Sequence, residues 1–126
     1  MFAHDPSDMC LNYVQNTLKI PKEDIVLFSL GTGWIPHFYE SESNHDWGYY
    51  QWLPKITTVL WDCMVKKTEW ICQQSLGDKY FKLNPILETD IPFDDPRFAA
   101  EFTNIAKKTD LFDTLNWIKK NIYSDD

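Results

Sequence analysis

A Gly-Thr-Gly turn and three histidines are the residues of this sequence whose types and spacing suggest chemistry. The turn, Gly31-Thr32-Gly33, follows a run of apolar residues, and glycine turns after strands can bind a phosphate through backbone N–H groups. A dinucleotide-binding turn would have a third glycine where Pro36 stands, and no P-loop lysine follows. The pattern therefore favours a tight turn between a strand and a loop, with phosphate binding as the alternative.

The histidines, together with Asp46, are the candidates for a metal site. His4, His37 and His45 match neither a helical i, i+4 pair nor a finger-type ligand pattern. A histidine acting as a catalytic base would need a nucleophile in a recognisable sequence context, and the sequence has none. We therefore expect no metal ion and no cofactor.

Charge and composition narrow the class of protein. A net charge of -7 and a pI near 4.8 argue against nucleic-acid binding, which needs clustered Lys and Arg. The three cysteines form no C-x-x-C pair, which predicts reduced and buried thiols. The sequence has no signal-peptide pattern and no apolar run near the ~18 residues of a membrane span. We expect a cytoplasmic protein, with a peripheral position at membranes as the alternative.

The strand before the turn must position it. Five of the six residues from Ile25 to Leu30 are apolar and do not alternate with polar residues, which predicts a long strand buried on both faces of a parallel sheet. A short second strand is predicted at Tyr80–Leu83. Sheets generally need three or more strands to be stable alone. We therefore expect this sheet to have neighbours outside the sequence.

Four helical segments are predicted around these strands. They are the helix that Asp5 and Pro6 open and that runs to about Leu18, the helix from Trp47 to Leu76 with a kink near Pro54 and Gly77 after its end, the helix that Asp95-Pro96 opens, and the helix that Asp110 caps. Their apolar stripes are expected to form core, with docking of another chain as the alternative. The stripes are Met9, Tyr13, Val14 and either Thr17 or Leu18; Ile56, Leu60, Cys63, Met64 and Ile71; Trp61, Val65, Thr68 and Cys72; Phe98, Phe102, Ile105 and Ala106; and Leu111, Leu115, Ile118 and Ile122.

Aromatic residues are dense around the start of the long helix. Trp34, Trp47, Tyr49 and Trp52 belong to this group, and acidic residues lie among them. Aromatic side chains at such a place either pack beneath a long loop or contact a bilayer interface. The acidic neighbours favour packing, and contact with lipid is the alternative.

The order of these pieces resembles the patatin-like phospholipases. In that family a segment D-G-G-x-F-A-N-N-P leads into a helix and then into a strand that ends S-L-G-T-G. Residues 2–6 read F-A-H-D-P, with His and Asp in place of the two Asn, and residues 29–33 read S-L-G-T-G. Residues 79–84 and 93–96 are similar to the family's late strand and the start of its late helix. The resemblance covers about residues 2–120.

The resemblance implies a lipid acyl hydrolase with a Ser–Asp dyad. In the family a G-x-S-x-G turn presents the serine, a glycine-rich loop forms the oxyanion hole, and the aspartate of D-G-[GA] activates the serine. The sequence has none of the three motifs, since Ser29 and Ser75 have glycine on one side only and no Asp-Gly or Gly-Gly pair occurs. We expect the sequence to begin just after the catalytic aspartate and to contain no catalytic residue.

Residues and resemblance together predict an α/β fold: the C-terminal part of a patatin-like three-layer α/β/α domain, helix-rich, with one long buried strand and one short strand. Residues 1–126 would form this single partial domain. The expected function is that of a phospholipase scaffold fragment, inactive alone, with residues 31–33 as a wall of the site. The alternative is a non-enzymatic remnant that binds lipid or protein. The implied partners are a lipid or membrane surface and the missing N-terminal part of the domain.

Overall fold

A computed structural model of the chain describes residues 5–36, 48–87 and 95–123. This part of the chain is mainly helical and holds a two-stranded parallel sheet, so the fold is broadly α/β. The chain divides into two compact units, the first comprising residues 1–27 and 38–80 and the second residues 28–37 and 81–126. The division falls inside both strands.

The described part of the chain contains helices, helical turns and two strands. In order they are α1 (Ser7–Asn12), a π-helical turn (Tyr13–Thr17), a 3-10 turn (Lys22–Asp24), β1 (Leu27–Leu30), α2 (Tyr49–Leu76), a 3-10 turn (Gly77–Lys79), β2 (Tyr80–Leu83), a 3-10 turn (Pro96–Phe98), α3 (Ala99–Lys108) and α4 (Phe112–Asn121).

The long helix predicted from the sequence is confirmed as α2. It begins after Gly48 and continues through Pro54, so the expected kink does not divide it. Gly77 ends it with a positive φ of 54°, a conformation that glycine adopts at little steric cost. The short second strand is confirmed as β2, three residues further along.

The starts of the last two helices are also confirmed. Asp95 accepts a hydrogen bond at Oδ1 from the Arg97 backbone N–H (3.0 Å), and Pro96 occupies the first position of the turn that leads into α3. Asp110 Oδ1 accepts from the Phe112 N–H (2.9 Å) at the start of α4. Both caps use the short acidic side chain to satisfy an N–H group that has no partner within the helix.

The core of the first unit is small and joins α1, α2 and the residues that flank the strands. Cys72 of α2 is fully buried, and the residues that pack around it are Leu11, Ile25, Leu76 and Tyr80, with Val14 and Leu27 partly buried beside them. This core uses the α1 face that carries Ser7 and Leu11. The face predicted for the first helical segment is wrong at Met9, Tyr13 and Leu18, which are exposed, and correct at Val14, which is partly buried against the core.

Long helix α2 has two apolar stripes, and only one of them packs. Val65, Thr68 and Cys72 of the second predicted stripe are half-buried or buried, although Trp61 at its start is exposed. The first predicted stripe is exposed at Ile56, Leu60, Cys63 and Met64, and half-buried only at Ile71. The prediction that α2 is mostly buried is therefore wrong, since the described residues that pack on it, Leu11 of α1 together with Ile25 and Tyr80, cover one face.

The stripe predicted to face inward on the last helix is mostly exposed. Leu111, Leu115 and Ile122 face solvent, Ile118 is half-buried, and Thr114 is the buried residue of α4. On the preceding helix the stripe is half-buried at Phe98, Phe102 and Ile105 and exposed at Ala106. In the described part of the chain these faces of α3 and α4 remain largely in contact with solvent.

The prediction of one long strand buried on both faces is wrong. β1 is four residues long, and its side chains alternate between half-buried and exposed, with Leu30 70% exposed. Ile25 is buried but precedes the strand. An unbroken apolar run indicates that both faces of a strand are suited to burial. Whether they are buried depends on how many other strands and helices pack against the strand. Among the residues that the structure describes, β1 pairs with β2 alone.

Three aromatic rings hold the sheet residues of the second unit against α4. Phe28 of β1 and Phe81 of β2 stack with ring centroids 6.3 Å apart. Trp117 of α4 contacts both rings, at 6.1 Å from Phe28 and 5.4 Å from Phe81. Such contacts contribute about 0.5–1.5 kcal/mol each beyond the apolar area that they bury.

Candidate functional site

The Gly31-Thr32-Gly33 turn is attached to the segment that follows β2 by a ladder of hydrogen bonds. The Gly31 N–H donates to the Leu83 carbonyl (2.8 Å), and the Trp34 N–H donates to the Pro85 carbonyl (2.9 Å). The Leu87 N–H then donates to the Trp34 carbonyl (2.9 Å), so the pairing continues past both strands. The turn is thereby fixed at the edge where the two parallel strands end.

Asn84 bridges the point where this ladder would otherwise break. The residue after it is Pro85, which has no N–H to donate. The Asn84 side chain accepts a hydrogen bond at Oδ1 from the Gly33 N–H (2.9 Å), so it supplies an acceptor beside the proline and does not replace the donor that Pro85 lacks. Sequence reasoning missed this residue, and the signal that could have found it is an asparagine placed directly between a strand and a proline.

Both glycines of the turn are required by close contacts. A Cβ atom on Gly31 would lie 2.5 Å from Cγ of Asn84, inside van der Waals contact. Gly33 has a φ of +113°, and a Cβ there would lie 2.8 Å from three side-chain carbons of Leu87. The turn is therefore rigid and closely packed.

This packing bears on what the turn can do chemically. The N–H groups of Gly31 and Gly33 already donate within the chain, so they are not available to a phosphate. Thr32, between them, is exposed. A rigid turn with one exposed side chain is suited to form the wall of a site. That role remains a prediction.

Asp5 and Pro6 lie where the sequence places them, at the start of α1. Asp5 Oδ1 accepts from the Ser7 backbone N–H (3.0 Å) and from the Ser7 hydroxyl (2.6 Å). The Pro6 carbonyl accepts from the Cys10 N–H (2.9 Å), which begins the helical pattern. Ser7 is buried, so this cap fixes the first turn of the helix against the core of its unit.

The aromatic residues at the start of α2 are exposed. Tyr49 is 72% exposed and contacts the ring of Tyr50 edge to face at 6.1 Å, while Trp52 is also exposed and Trp34 is half-buried. Trp47 lies outside the described residues. The packing interpretation of this group is therefore wrong for Tyr49 and Trp52.

No helix among residues 5–36, 48–87 and 95–123 is long and apolar enough to cross a bilayer.

The cysteines differ from the prediction of buried thiols. Cys72 is fully buried, whereas Cys10 and Cys63 are exposed. The prediction is correct for Cys72. It is wrong for Cys10 and Cys63, because both lie on helix faces that nothing in the described chain covers. None of the three forms a disulfide.

Titratable residues in the described part of the chain form no metal-binding cluster of three or more. His4, His37, His45 and Asp46 lie outside that part.

One charged pair stands out at the start of α3, where the Arg97 guanidinium contacts the Asp95 carboxylate at 2.5 Å. The hydrogen bonds from the Arg97 side chain and backbone lower the pKa of Asp95. The pair is part of the N-terminal cap of the helical turn that leads into α3.

The site as a whole contains no nucleophile–base pair that the described residues bring together around the turn. Its ordered parts are the Gly31–Gly33 turn, the Asn84 bridge and the exposed Thr32. No protein-family model, no curated protein and no solved structure matches this chain.

Proposed function

We propose that this chain is the C-terminal scaffold portion of a patatin-like three-layer domain, whose whole protein hydrolyses acyl esters of phospholipids. The parallel pairing of β1 with β2 carries the proposal. It sets the S-L-G-T-G turn of residues 29–33 beside Asn84-Pro85 at the carboxyl edge of the sheet. In open α/β sheets this edge is where ligands bind.

In this proposal the chain forms one wall of the active site and contributes no catalytic residue. Residues 31–33 form a rigid surface beside the bound ester, and the serine and aspartate come from the missing N-terminal part of the domain. Among the described residues, β1 has a strand neighbour on one side only, which leaves its other edge available to a strand of that part.

The DNA upstream of the Met1 codon gives the first test. We expect it to encode, in frame or after a frameshift, a D-G-G segment preceded by G-x-S-x-G. A promoter and a ribosome-binding site directly before Met1 would contradict the proposal. The purified chain should not hydrolyse a p-nitrophenyl ester, and turnover by it would refute the assignment of the dyad to another segment.

Reconstitution gives a sharper test. The upstream-encoded segment, produced together with this chain, should hydrolyse the ester, while either part alone should not. Gly33→Ala should reduce the reconstituted activity because the turn would be displaced by Leu87. Gly48→Ala is the matched control, since a Cβ there makes only an ordinary contact of 3.4 Å with Gln51. Equal loss of activity in both variants would contradict a role for the turn.

A second candidate function is a non-enzymatic module, peripheral to membranes, that binds lipid or protein. The exposure of Tyr49, Tyr50 and Trp52 at the start of α2 favours it. Zwitterionic or anionic vesicles should then shift the tryptophan fluorescence to shorter wavelength, and Trp52→Phe should reduce the shift. Trp117→Phe is the control, because that ring packs against Phe28 and Phe81. An unshifted spectrum excludes lipid as the ligand.

A further inference from the structure

One face of α2 carries residues spaced alternately four and three apart along 22 residues, a period of 3.5. These residues, which we call the α2 seam, are Tyr49, Leu53, Ile56, Leu60, Cys63, Lys67 and Trp70. All seven are exposed, among them Leu60 at 56% and Trp70 at 64%. A seam of this period is typical of helices that pair lengthwise, with each side chain inserted between four side chains of the facing helix.

The core of the first unit does not use this face. That core is formed by Thr68, Cys72 and Leu76, which lie on a different side of α2. Pro54, which lacks an N–H, also lies off the seam, so the seam residues keep a regular register across it. The helix therefore has one face for its own unit and a second apolar face with a pairing period.

We propose that the α2 seam is an interaction surface for a second copy of this chain, with the two helices antiparallel. Six of the seven seam residues pair with one another in this orientation, and Trp70 lies beyond the overlap. Ile56 faces the partner's Leu60, and Leu53 faces the partner's Cys63. Tyr49 faces the partner's Lys67, and each pair occurs twice about the two-fold axis, as a C2 interface requires.

Charge selects the antiparallel arrangement. In a parallel pair, Lys67 would face the same lysine of the partner, and two like charges would meet inside the seam. In the antiparallel pair its ammonium group lies over the ring of the partner's Tyr49, where a cation is attracted to the aromatic face. Beside the seam, Lys66 comes next to the partner's Trp52 in the same way, and no acidic residue occupies a seam position.

The size of the surface is sufficient for a dimer. The overlapping part, from Tyr49 to Lys67, is about 28 Å long at the helical rise of 1.5 Å per residue. Burying its aliphatic and aromatic side chains removes on the order of 600 Å² per copy, or about 1,200 Å² in total, at the lower end of stable interfaces. We expect a dissociation constant in the micromolar range, because area at this end of the scale gives modest affinity.

The oligomeric state tests the proposal directly. Sedimentation equilibrium of the full chain should show a monomer–dimer equilibrium, and Leu60→Glu should leave a monomer at every concentration. Leu115→Glu on α4 is the matched control: the same residue type at similar exposure (52% against 56%), on another helix. It should leave the equilibrium unchanged. Far-UV circular dichroism checks that both variants stay folded, which their exposed positions favour.

Cross-linking tests the orientation. In the antiparallel register Cys63 faces the partner's Leu53, so Leu53→Cys should give a disulfide-linked dimer under mild oxidation. Cys10, the other exposed cysteine, is replaced by serine in both proteins compared. Cys10→Ser alone should remain unlinked, because Cys63 is about 15 Å along the helix from the same residue of the partner. Efficient linking of that variant would overturn the antiparallel register.

The remaining outcomes are equally decisive. A monomer at all concentrations, or a dimer that Leu115→Glu dissociates and Leu60→Glu does not, overturns the proposal. A monomer whose binding to phosphatidylcholine vesicles is lost in Leu60→Glu assigns the seam to a lipid surface instead. The dimer proposal depends on α2 alone, so its outcome is independent of the proposal that this chain is part of a hydrolase.

Discussion

Replacing Gly33 with alanine perturbs the turn after β1 in two separable ways. The backbone there has a φ of +113°, which an L-residue adopts at a cost of about 1–2 kcal/mol. The new Cβ would also lie 2.8 Å from three carbons of the Leu87 side chain. Leu87 is buried, so overpacking at this point costs about 1–3 kcal/mol more. We expect Gly33→Ala to lower the free energy of unfolding by about 2–5 kcal/mol, the sum of these two costs.

Gly77 separates the two contributions. It also has a positive φ, of 54°, but a Cβ there would meet no atom within 4 Å. Gly77→Ala should therefore cost only the backbone part, about 1–2 kcal/mol. Both variants replace glycine with alanine and so have the same effect on the unfolded chain, which leaves the backbone conformation and the collision with Leu87 as the terms that differ.

Urea denaturation followed by circular dichroism measures both values. A double-mutant cycle with Leu87→Ala completes the test, because removing the leucine carbons should recover the collision part of the Gly33→Ala loss. If Gly33→Ala costs no more than Gly77→Ala, or if the cycle shows no coupling with Leu87, the turn is not packed as described.

Three further results are expected. Asn84→Ala should lower stability by about 1–3 kcal/mol, because the Gly33 N–H loses its acceptor, whereas Asn84→Asp keeps an oxygen there and should cost less; thermal melts compare the two. The pKa of Asp95, measured by NMR titration, should lie below its ordinary value of 3.8 and should rise in Arg97→Ala. The cap therefore stabilises the folded chain fully above the ordinary pKa, and this stabilisation is lost as the pH falls through the lowered pKa of Asp95. In protein dilute enough to be monomeric, a thiol reagent should modify Cys10 and Cys63 rapidly in the folded chain and Cys72 only on unfolding, and rapid modification of all three would contradict the buried core.

Local chemistry explains why the ends of the elements were predictable. Asp5, Asp95 and Asp110 cap helices through bonds to residues two positions away, and Gly77 ends α2 through its own backbone freedom. These interactions need only a few neighbouring residues, so the sequence pattern carries them fully.

Contacts between distant residues explain what could not be predicted. The bond from Gly33 to Asn84 joins positions 51 residues apart: an asparagine before a proline marks a possible acceptor, but no local pattern specifies which N–H it binds. The choice between the two stripes of α2 likewise depends on α1, which packs Leu11 against Cys72 and leaves Leu60 exposed. An apolar stripe indicates that a face is suited to burial. It does not indicate which molecule buries it.

Strands β1 and β2 are neighbours in the sheet although residues 31–79 separate them in the chain, and α2 occupies most of that interval. Helices form within about a microsecond, whereas pairing between distant strands must first overcome the entropy of closing a long loop. The order of folding follows: α2 forms early and shortens the flexible connection, and the parallel pairing closes last. A substitution that weakens α2 should therefore slow the appearance of the sheet.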